Sequence, residues 1–437
     1  MGARMRRDES QDLVDIRNGT VARSAFTSNS IFTLEMDRIF SRSWIYVAHE
    51  TEIRDVGDYV ARTVNGHAII LVRSQDGEIG ALLNSCRHRG AKLCRVEAGN
   101  SKRFVCRYHG WTYGLDGKLL TTSFDSHLPA SMQFSEWGMI KIPRIESFHG
   151  LIFVSFDSEA QPLSRFLGDF AWYMEPFLNR TPAGMEVLGP PQRWRVKANW
   201  KVGALNFIGD SQHVFTTHAG PLALNPSRLA KAGLAGAAID RSYQVITKEG
   251  HGCTLSYLQD GLPESAYDLY DQRLENLYDE TLSSVHRDSL RRLKTAVGTI
   301  FPNLSFIETK ARLREKAIIL RIWNPVSVGE TEIISWILAE RESTQEYKAS
   351  LIRHGIDNFG IGGLFEQDDL DLWETATSVS ASNLAQDYPF SFHTALPRLS
   401  EPMVGHPGPG RAYQPVLAEV AQFEFMRHWA QAISSPA

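Results

Sequence analysis

Apolar positions change period twice along the chain. Between 30 and 41, Phe32, Met36, Ile39 and Phe40 recur at i, i+4, i+7 and i+8, which predicts a helix. Trp44, Tyr46 and Val47 then start a strand, and alternation dominates to about residue 160. Apolar runs at 59–64 and 67–72 flank Asn65-Gly66. That dipeptide predicts a hairpin, because a type I′ turn needs positive φ at both positions. Asp76-Gly77 repeats the signal before a strand at 79–83, Asp116-Gly117 does so again, and 150–156 closes the region. The helical period returns at 162–178, with Phe166, Phe170, Met174 and Phe177 as one stripe and Pro162 suited to a first turn. Beyond it, strands are expected at 243–248, 253–258, 304–309, 316–323 and 331–339. Helices are expected at 266–295 (with a break), 343–357, 365–378 and 415–432. Ser343-Thr-Gln-Glu346 reads as a capping box with Ser343 as N-cap, and the Pro/Gly-rich 400–414 as a loop. The expected fold class is α+β: a small all-β domain at 45–160 inserted in a larger domain, 1–44 and 161–437, with an antiparallel sheet flanked by helices.

Length and composition narrow the class. A chain of 437 residues has room for two domains. A 22% charged fraction and a net charge of −4 give no reason to expect nucleic acid or an anionic membrane as partner. No apolar run reaches transmembrane length, and the first residues, Met1-Gly-Ala-Arg-Met-Arg-Arg7, lack the apolar core of a signal peptide. Four cysteines make no disulfide framework, so a cytoplasmic setting is expected.

Two of those cysteines carry the first chemistry. Cys86 and His88 are one residue apart, Cys106 and His109 two, with seventeen residues between the pairs. Two thiolates can hold one iron of a [2Fe–2S] unit and two imidazoles the other. The same four groups suit tetrahedral zinc, although zinc fingers usually pair Cys with Cys and His with His.

A second set lies downstream. Asn206, Asp210 and His213 fall at i, i+4 and i+7, one helical face. His218 is turned about 140° from His213, so both reach one metal only if the helix distorts or ends between them. Thr216 and Thr217, both β-branched, favour that. A third ligand is sought in Phe365-Glu-Gln-Asp-Asp-Leu-Asp-Leu-Trp-Glu374. Asp369 shares a face with Phe365, Leu372, Trp373 and Ala376, where a lone carboxylate is costly unless paired or metal-bound; Asp368 points aside. Two His and one carboxylate would hold Fe(II) and leave positions open for O₂. Read singly, two histidines in a helix are more often satisfied hydrogen-bonders, and Asp368 to Asp371 a solvated face.

Together these stretches resemble the α subunits of Rieske non-haem iron aromatic-ring-hydroxylating dioxygenases of the naphthalene- and biphenyl-dioxygenase type. The likeness extends to Arg87, Arg89 and Gly90 on the first loop and to Tyr108–Trp111 on the second. Respiratory Rieske proteins add a cysteine to each loop; here Cys94 has no counterpart on the second. The resemblance assigns Cys86, His88, Cys106 and His109 to one [2Fe–2S] cluster and His213, His218 and Asp369 to one Fe(II). It gives Asp210 the role of bridging a cluster histidine of a neighbouring subunit to an iron ligand. Asn206, Phe207, Val214, Phe359 and Phe365 match pocket positions, Phe365 standing where naphthalene dioxygenases carry Trp. It further implies cis-dihydroxylation of a mono- or polycyclic aromatic, with NAD(P)H electrons arriving through a separate reductase and ferredoxin, and an α3 or α3β3 trimer. The chain shows no dinucleotide fingerprint of its own. Two other readings stand beside it. One is an oxygenase of an aromatic acid, with Arg312, Arg314, Arg321 or Arg398 as the anion partner. The other is an electron-transfer Rieske protein without catalysis.

Overall fold

A computed structural model describes residues 13–220, 242–257, 270–309 and 316–435. These form two compact units: 40–163, and 1–39 with 164–437. None of their helices is long and apolar enough to cross a membrane.

The smaller unit is all β apart from short 3₁₀ turns. Ile79–Leu83, His67–Arg73, Asp58–Val64 and Ala98–Asn100 make a four-stranded antiparallel sheet in that order. Its first hairpin pairs Val64 with His67 across Asn65 (φ +48°) and Gly66 (φ +74°), the two left-handed residues that the dipeptide predicts. Phe104–Val105, Thr112–Tyr113 and Leu119–Thr121 form a second sheet, and Arg144–Phe148, Leu151–Ser155 and Ile45–His49 a third. Ile70, Val72, Leu82, Phe104, Trp111 and Tyr113 lie in one core, together with Cys86 and Cys106.

The larger unit is built on a nine-stranded antiparallel sheet. Its order is Met185–Val187, Glu330–Glu340, Ala317–Ser327, Leu304–Thr309, Leu293–Ile300, Gly252–Tyr257, Tyr243–Ile246, Arg411–Tyr413, with Gln192–Val196 also on Glu330–Glu340. Helix Gln345–Phe359 covers it through Leu351 and Phe359 against Ile319 and Ile337. Helix Trp200–Gly209 presses on it so closely that a Cβ at Gly203 would lie 2.5 Å from the Trp323 ring.

Several expected boundaries move, each for a local reason. The helix at 30–41 is α-helical over Asn29–Glu35 and widens to a π turn at Met36–Phe40. Its buried face holds Ile31, Glu35, Ile39 and Phe40, with Phe32 and Met36 half-buried. Glu35 is tolerated there because Lys201 and the indoles of Trp200 (3.0 Å) and Trp429 (2.7 Å) donate to it. The helix at 162–178 breaks into Leu163–Leu167 and Phe170–Leu178 at Gly168 (φ +47°). The described part of 266–295 is broken at Leu282 and Ser283 and stops at Arg292, and strand Leu293–Ile300 follows. Arg411–Tyr413, within the expected loop, pairs with Tyr243–Ile246. The N-cap of Gln345–Phe359 is Thr344, whose hydroxyl accepts from Tyr347 N–H at 3.3 Å, while Ser343 donates to Glu340.

Candidate metal centres

The two Cys/His loops close in the same way despite their different spacings. Cys86 donates its N–H to the Ala91 carbonyl (2.9 Å) and accepts from Gly90 N–H (2.8 Å). Cys106 donates to Trp111 (2.8 Å) and accepts from Gly110 (2.9 Å). Four residues after each cysteine the chain must turn left-handed, and glycine stands there, at φ +74° and +71°. The His88 and His109 ring centroids approach to 4.6 Å, and His88 stacks on Trp111 at 5.1 Å. The Tyr113 hydroxyl accepts from Arg87 N–H (3.1 Å) and lies 3.3 Å from Cys86 Sγ, so its hydrogen can go to the sulfur. Burial raises the Cys106 thiol, while amide N–H groups of Tyr108 and His109 pull it down by favouring the thiolate.

The set fits an iron–sulfur cluster. Nδ1 of His88 and of His109 are both buried with no hydrogen-bond partner among the described residues. An orphaned buried nitrogen costs about 1–3 kcal/mol, and a metal bond removes that cost. Cys94 is different. Asn84 clamps its backbone through both its N–H and its carbonyl, and burial pushes its thiol up to about 12, which suits packing. Cys253 is likewise fully buried, its thiol raised by burial.

The second set depends on a helix that ends early. Trp200–Gly209 stops at Asp210, so Asn206, Asp210 and His213 do not share one helical face as their spacing predicts. Asp210 leaves the helical conformation (ψ +82°), and its carboxylate accepts from His213 N–H at 3.3 Å, a local bond that competes with the next helical turn. His213 then opens a short 3₁₀ turn, His213–Phe215, and its ring comes within 5.1 Å of His218.

Each imidazole is held by one nitrogen and offers the other. His213 Nδ1–H donates to the Asp210 carbonyl at 2.6 Å, and His218 Nδ1–H to Asp368 Oδ2 at 3.3 Å. Both Nε2 atoms face Asp369 Oδ1, at 3.7 and 3.6 Å. The three ligand atoms lie within 4.8 Å of one another. Burial pushes the Asp369 carboxyl up to about 7, opposed chiefly by His213. Burial also pulls His213 down, but hydrogen bonding to Asp210 and the charges of Asp210 and Asp369 outweigh it and hold His213 above its usual value. His218 stays below, mainly through burial. A buried carboxylate with two tautomer-fixed imidazoles fits a divalent iron with positions left open. Asp368, which helical spacing turns aside from Asp369, accepts from His218 Nδ1–H and so orients that ring.

The other expected residues fall in different places. Phe365 lies edge-on to His218 at 5.0 Å and stacks on Phe359 at 5.8 Å. Phe207 is buried against Trp323 at 5.2 Å. Val214 is 36% exposed on the His213 turn, and Asn206 Nδ2 is 3.5 Å from His213 Nε2. A groove lined by Asn206, Asp210, Phe26, Trp373 and Glu419 runs alongside, and His213, His218 and Asp369 are not part of its lining. Of the four arginines, Arg321 is paired with buried Glu366 (2.8 Å), and Arg398 is exposed beside Glu401 (3.4 Å). Arg312 and Arg314 lie outside the described residues.

Known proteins match both units. Residues 43–131 match the family described as Rieske [2Fe-2S] domain, and residues 168–435 the ring hydroxylating alpha subunit (catalytic domain). Benzene 1,2-dioxygenase subunit alpha of Pseudomonas putida is 31% identical over 98% of this chain and 94% of its own length. N,N-dimethyl phenylurea N-demethylase subunit alpha of Sphingobium is also 31% identical, over 95% and 92%. The crystal structure of naphthalene 1,2-dioxygenase from Rhodococcus bound to indole superposes with a TM-score of 0.91 at 31% identity, covering 99% of this chain and 100% of that one. A zinc site on the Cys/His loops and a cluster protein with a mere accessory domain both lose their ground here.

Proposed function

The chain belongs to the α subunits of Rieske-type ring-hydroxylating dioxygenases, and on that premise we propose that it adds both atoms of O₂ to a mono- or polycyclic aromatic hydrocarbon, giving a cis-dihydrodiol. The carrying observation is the convergence of His213, His218 and Asp369 beside the stacked Phe359–Phe365 pair. When bound, the mononuclear iron supplies open coordination positions for O₂ and the cluster supplies single electrons.

In this reading Cys86, His88, Cys106 and His109 hold the cluster, in a domain at 45–160 set between 1–44 and 161–437. His213, His218 and Asp369 hold the iron. Asp210 and Asp368 fix the two imidazole tautomers so that both Nε2 atoms stay available. The Asp210 side chain is 36% exposed, which leaves its carboxylate able to reach a cluster histidine of a neighbouring copy in an α3 or α3β3 trimer. Phe207, Phe359 and Phe365, with Asn206 and Val214, line a flat apolar pocket and keep water from the ring. Electrons come from NAD(P)H through a separate reductase and ferredoxin in the cytoplasm. Glu366 already neutralises Arg321, so an aromatic acid finds no free cation there.

The similarity to an N-demethylase α subunit supports a second outcome, oxidative removal of an N-methyl group. The test feeds naphthalene, biphenyl, phthalate and an N,N-dimethyl phenylurea to the purified protein with surrogate redox partners under isotopically heavy O₂. A dihydrodiol carrying two heavy oxygens from naphthalene or biphenyl is expected. Formaldehyde from the phenylurea alone, or oxidation of phthalate alone, would overturn the hydrocarbon reading.

A further inference from the structure

Arg321 stands on strand Ala317–Ser327, wholly buried, and its guanidinium spans the junction of two helices. Nη2 donates to the Phe359 carbonyl at 2.9 Å, at the end of Gln345–Phe359. Nη1 pairs with Glu366 Oε2 at 2.8 Å, at the first residue of Glu366–Ser380. A cation at a helix C-terminus and a carboxylate at an N-terminus both agree with the helix dipoles. The guanidinium also lies over Phe207 (5.1 Å), Trp194 (5.3 Å) and Trp323 (5.5 Å).

The connection it spans is tightly folded. Gly363 N–H donates to Gly360 (2.7 Å), Leu364 N–H to Asp357 (2.9 Å) and Phe365 N–H to Asn358 (3.1 Å). A Cβ at Gly363 would lie 2.6 Å from the Asn358 carbonyl. Phe359 is at one end of this connection and Phe365 at the other. Asp369 follows Glu366 by three residues, and both belong to the buried face of their helix.

A buried ion pair is a weak source of stability, since apolar groups of equal volume often do as well. Its distinctive property is fixed geometry: a planar guanidinium tied by one arm to each of two partners has little freedom. We propose that Arg321 is a positioning residue, acting through Glu366 and the Phe359 carbonyl. It sets where Asp369 meets His213 and His218, and how Phe359 and Phe365 wall the ring pocket. The pocket half rests on the ring-oxygenation reading; the ligand half rests on the three-ligand set alone.

The experiment compares Arg321→Lys and the double variant Arg321→Met/Glu366→Met with the control Arg180→Lys. Arg180 is equally buried, and its paired carboxylates, Glu308 (2.7 Å) and Glu340 (2.6 Å), belong to no part of the site. After loading with Fe(II), loss of iron to a chelator is timed. Regioisomers formed from biphenyl are counted separately, and melting temperature is followed throughout. Both Arg321 variants are expected to lose iron about 10-fold faster than wild type and to shift the regioisomer ratio. Arg180→Lys is expected to melt lower with wild-type iron retention and ratio. The double variant leaves no unpaired charge, so it answers even where the single one does not fold. Wild-type iron retention and product ratio in the Arg321 variants, or failure of both to fold, would reduce the pair to a structural one and overturn the proposal. If wild type oxidises no aromatic at all, the ring reading falls, and the iron-retention arm still judges Arg321.

Discussion

His218 uses both ring nitrogens, Nδ1 toward Asp368 at 3.3 Å and Nε2 toward Asp369 at 3.6 Å. Removing the orienting partner therefore tests the site as sharply as removing a ligand. Asp368→Ala frees the ring to rotate and to change tautomer, and is expected to weaken Fe(II) binding about 10-fold or more, the usual cost of losing an outer partner. His213→Ala removes one of the three groups proposed to hold iron and is expected to abolish mononuclear iron while the visible absorption of the cluster persists. Iron and acid-labile sulfide per chain, measured on both variants, check this; loss of the cluster with His213→Ala would show that the two centres are not separate. Asp369 was legible as a carboxylate on an otherwise apolar face. The buried face differs from the expected one: Leu372 and Ala376 are exposed, and Glu366, Asp369, Trp373, Thr377 and Ser380 are buried. Asp368 was illegible as a partner, because its histidine is 150 residues away and one of two adjacent aspartates reads as a solvated one.

Turns were easier to read than helix ends, for a reason of chemistry. Asn65-Gly66 states its dihedrals through its residue types, whereas at the end of Trp200–Gly209 a single side-chain bond, accepted by the Asp210 carboxylate from His213 N–H, competes with the next turn. Strand Leu293–Ile300 escaped because its inward positions include Ala296 and Gly298. The glycine gives way to Phe306, whose ring would lie 2.5 Å from a Cβ there. The cluster loops show what a turn glycine contributes. Gly66 and Gly110 have nearly the same φ, +74° and +71°, but nothing lies within 4 Å of a Cβ at Gly66. At Gly110 the Cβ would sit 2.1 Å from Ser123 Oγ, which donates to the His109 carbonyl. Gly66→Ala is expected to cost only the left-handed strain, about 1–2 kcal/mol, and to keep the cluster. Gly110→Ala adds a clash that displaces Ser123 from the histidine loop, and is expected to lower cluster content. Cluster absorbance per chain in the two proteins decides it: equal loss in both would mean that strain alone, not the loop contact, matters.

Across the larger unit, the sheet-and-helix class was legible from period alone, but strand order and the fate of buried polar groups were not. Histidines illustrate this, since a sequence gives no sign of which ones stay neutral. Burial pulls His251 down to about 3, and His406 and His428 to about 4. His251 is fixed in its neutral form: Nε2–H donates to Phe166 O (2.8 Å) and Nδ1 accepts from Phe301 N–H (2.9 Å). Protonation would leave two donors facing each other at Nδ1. In the unfolded chain these side chains titrate near 6.5, about the ordinary value. Between that pH and the folded values the unfolded state binds more protons, so stability rises with pH across the window and is lost as pH falls. Asp369 works in the opposite sense in metal-free protein. Its folded value of about 7 lies above the unfolded one, so acid favours the folded state there. Burial raises the Glu366 and Glu419 carboxyls in the same sense, but the large downward shifts of the three histidines, joined by His218 and His286, outweigh them, and the melting temperature is expected to drop from about pH 6.5 toward about pH 4. Replacing His428 by Leu removes one proton-uptake site and should flatten that fall, with little change above pH 7. Melting curves of the wild type and His428→Leu over this range make the comparison. Parallel curves would mean that His428 does not remain neutral in the folded protein.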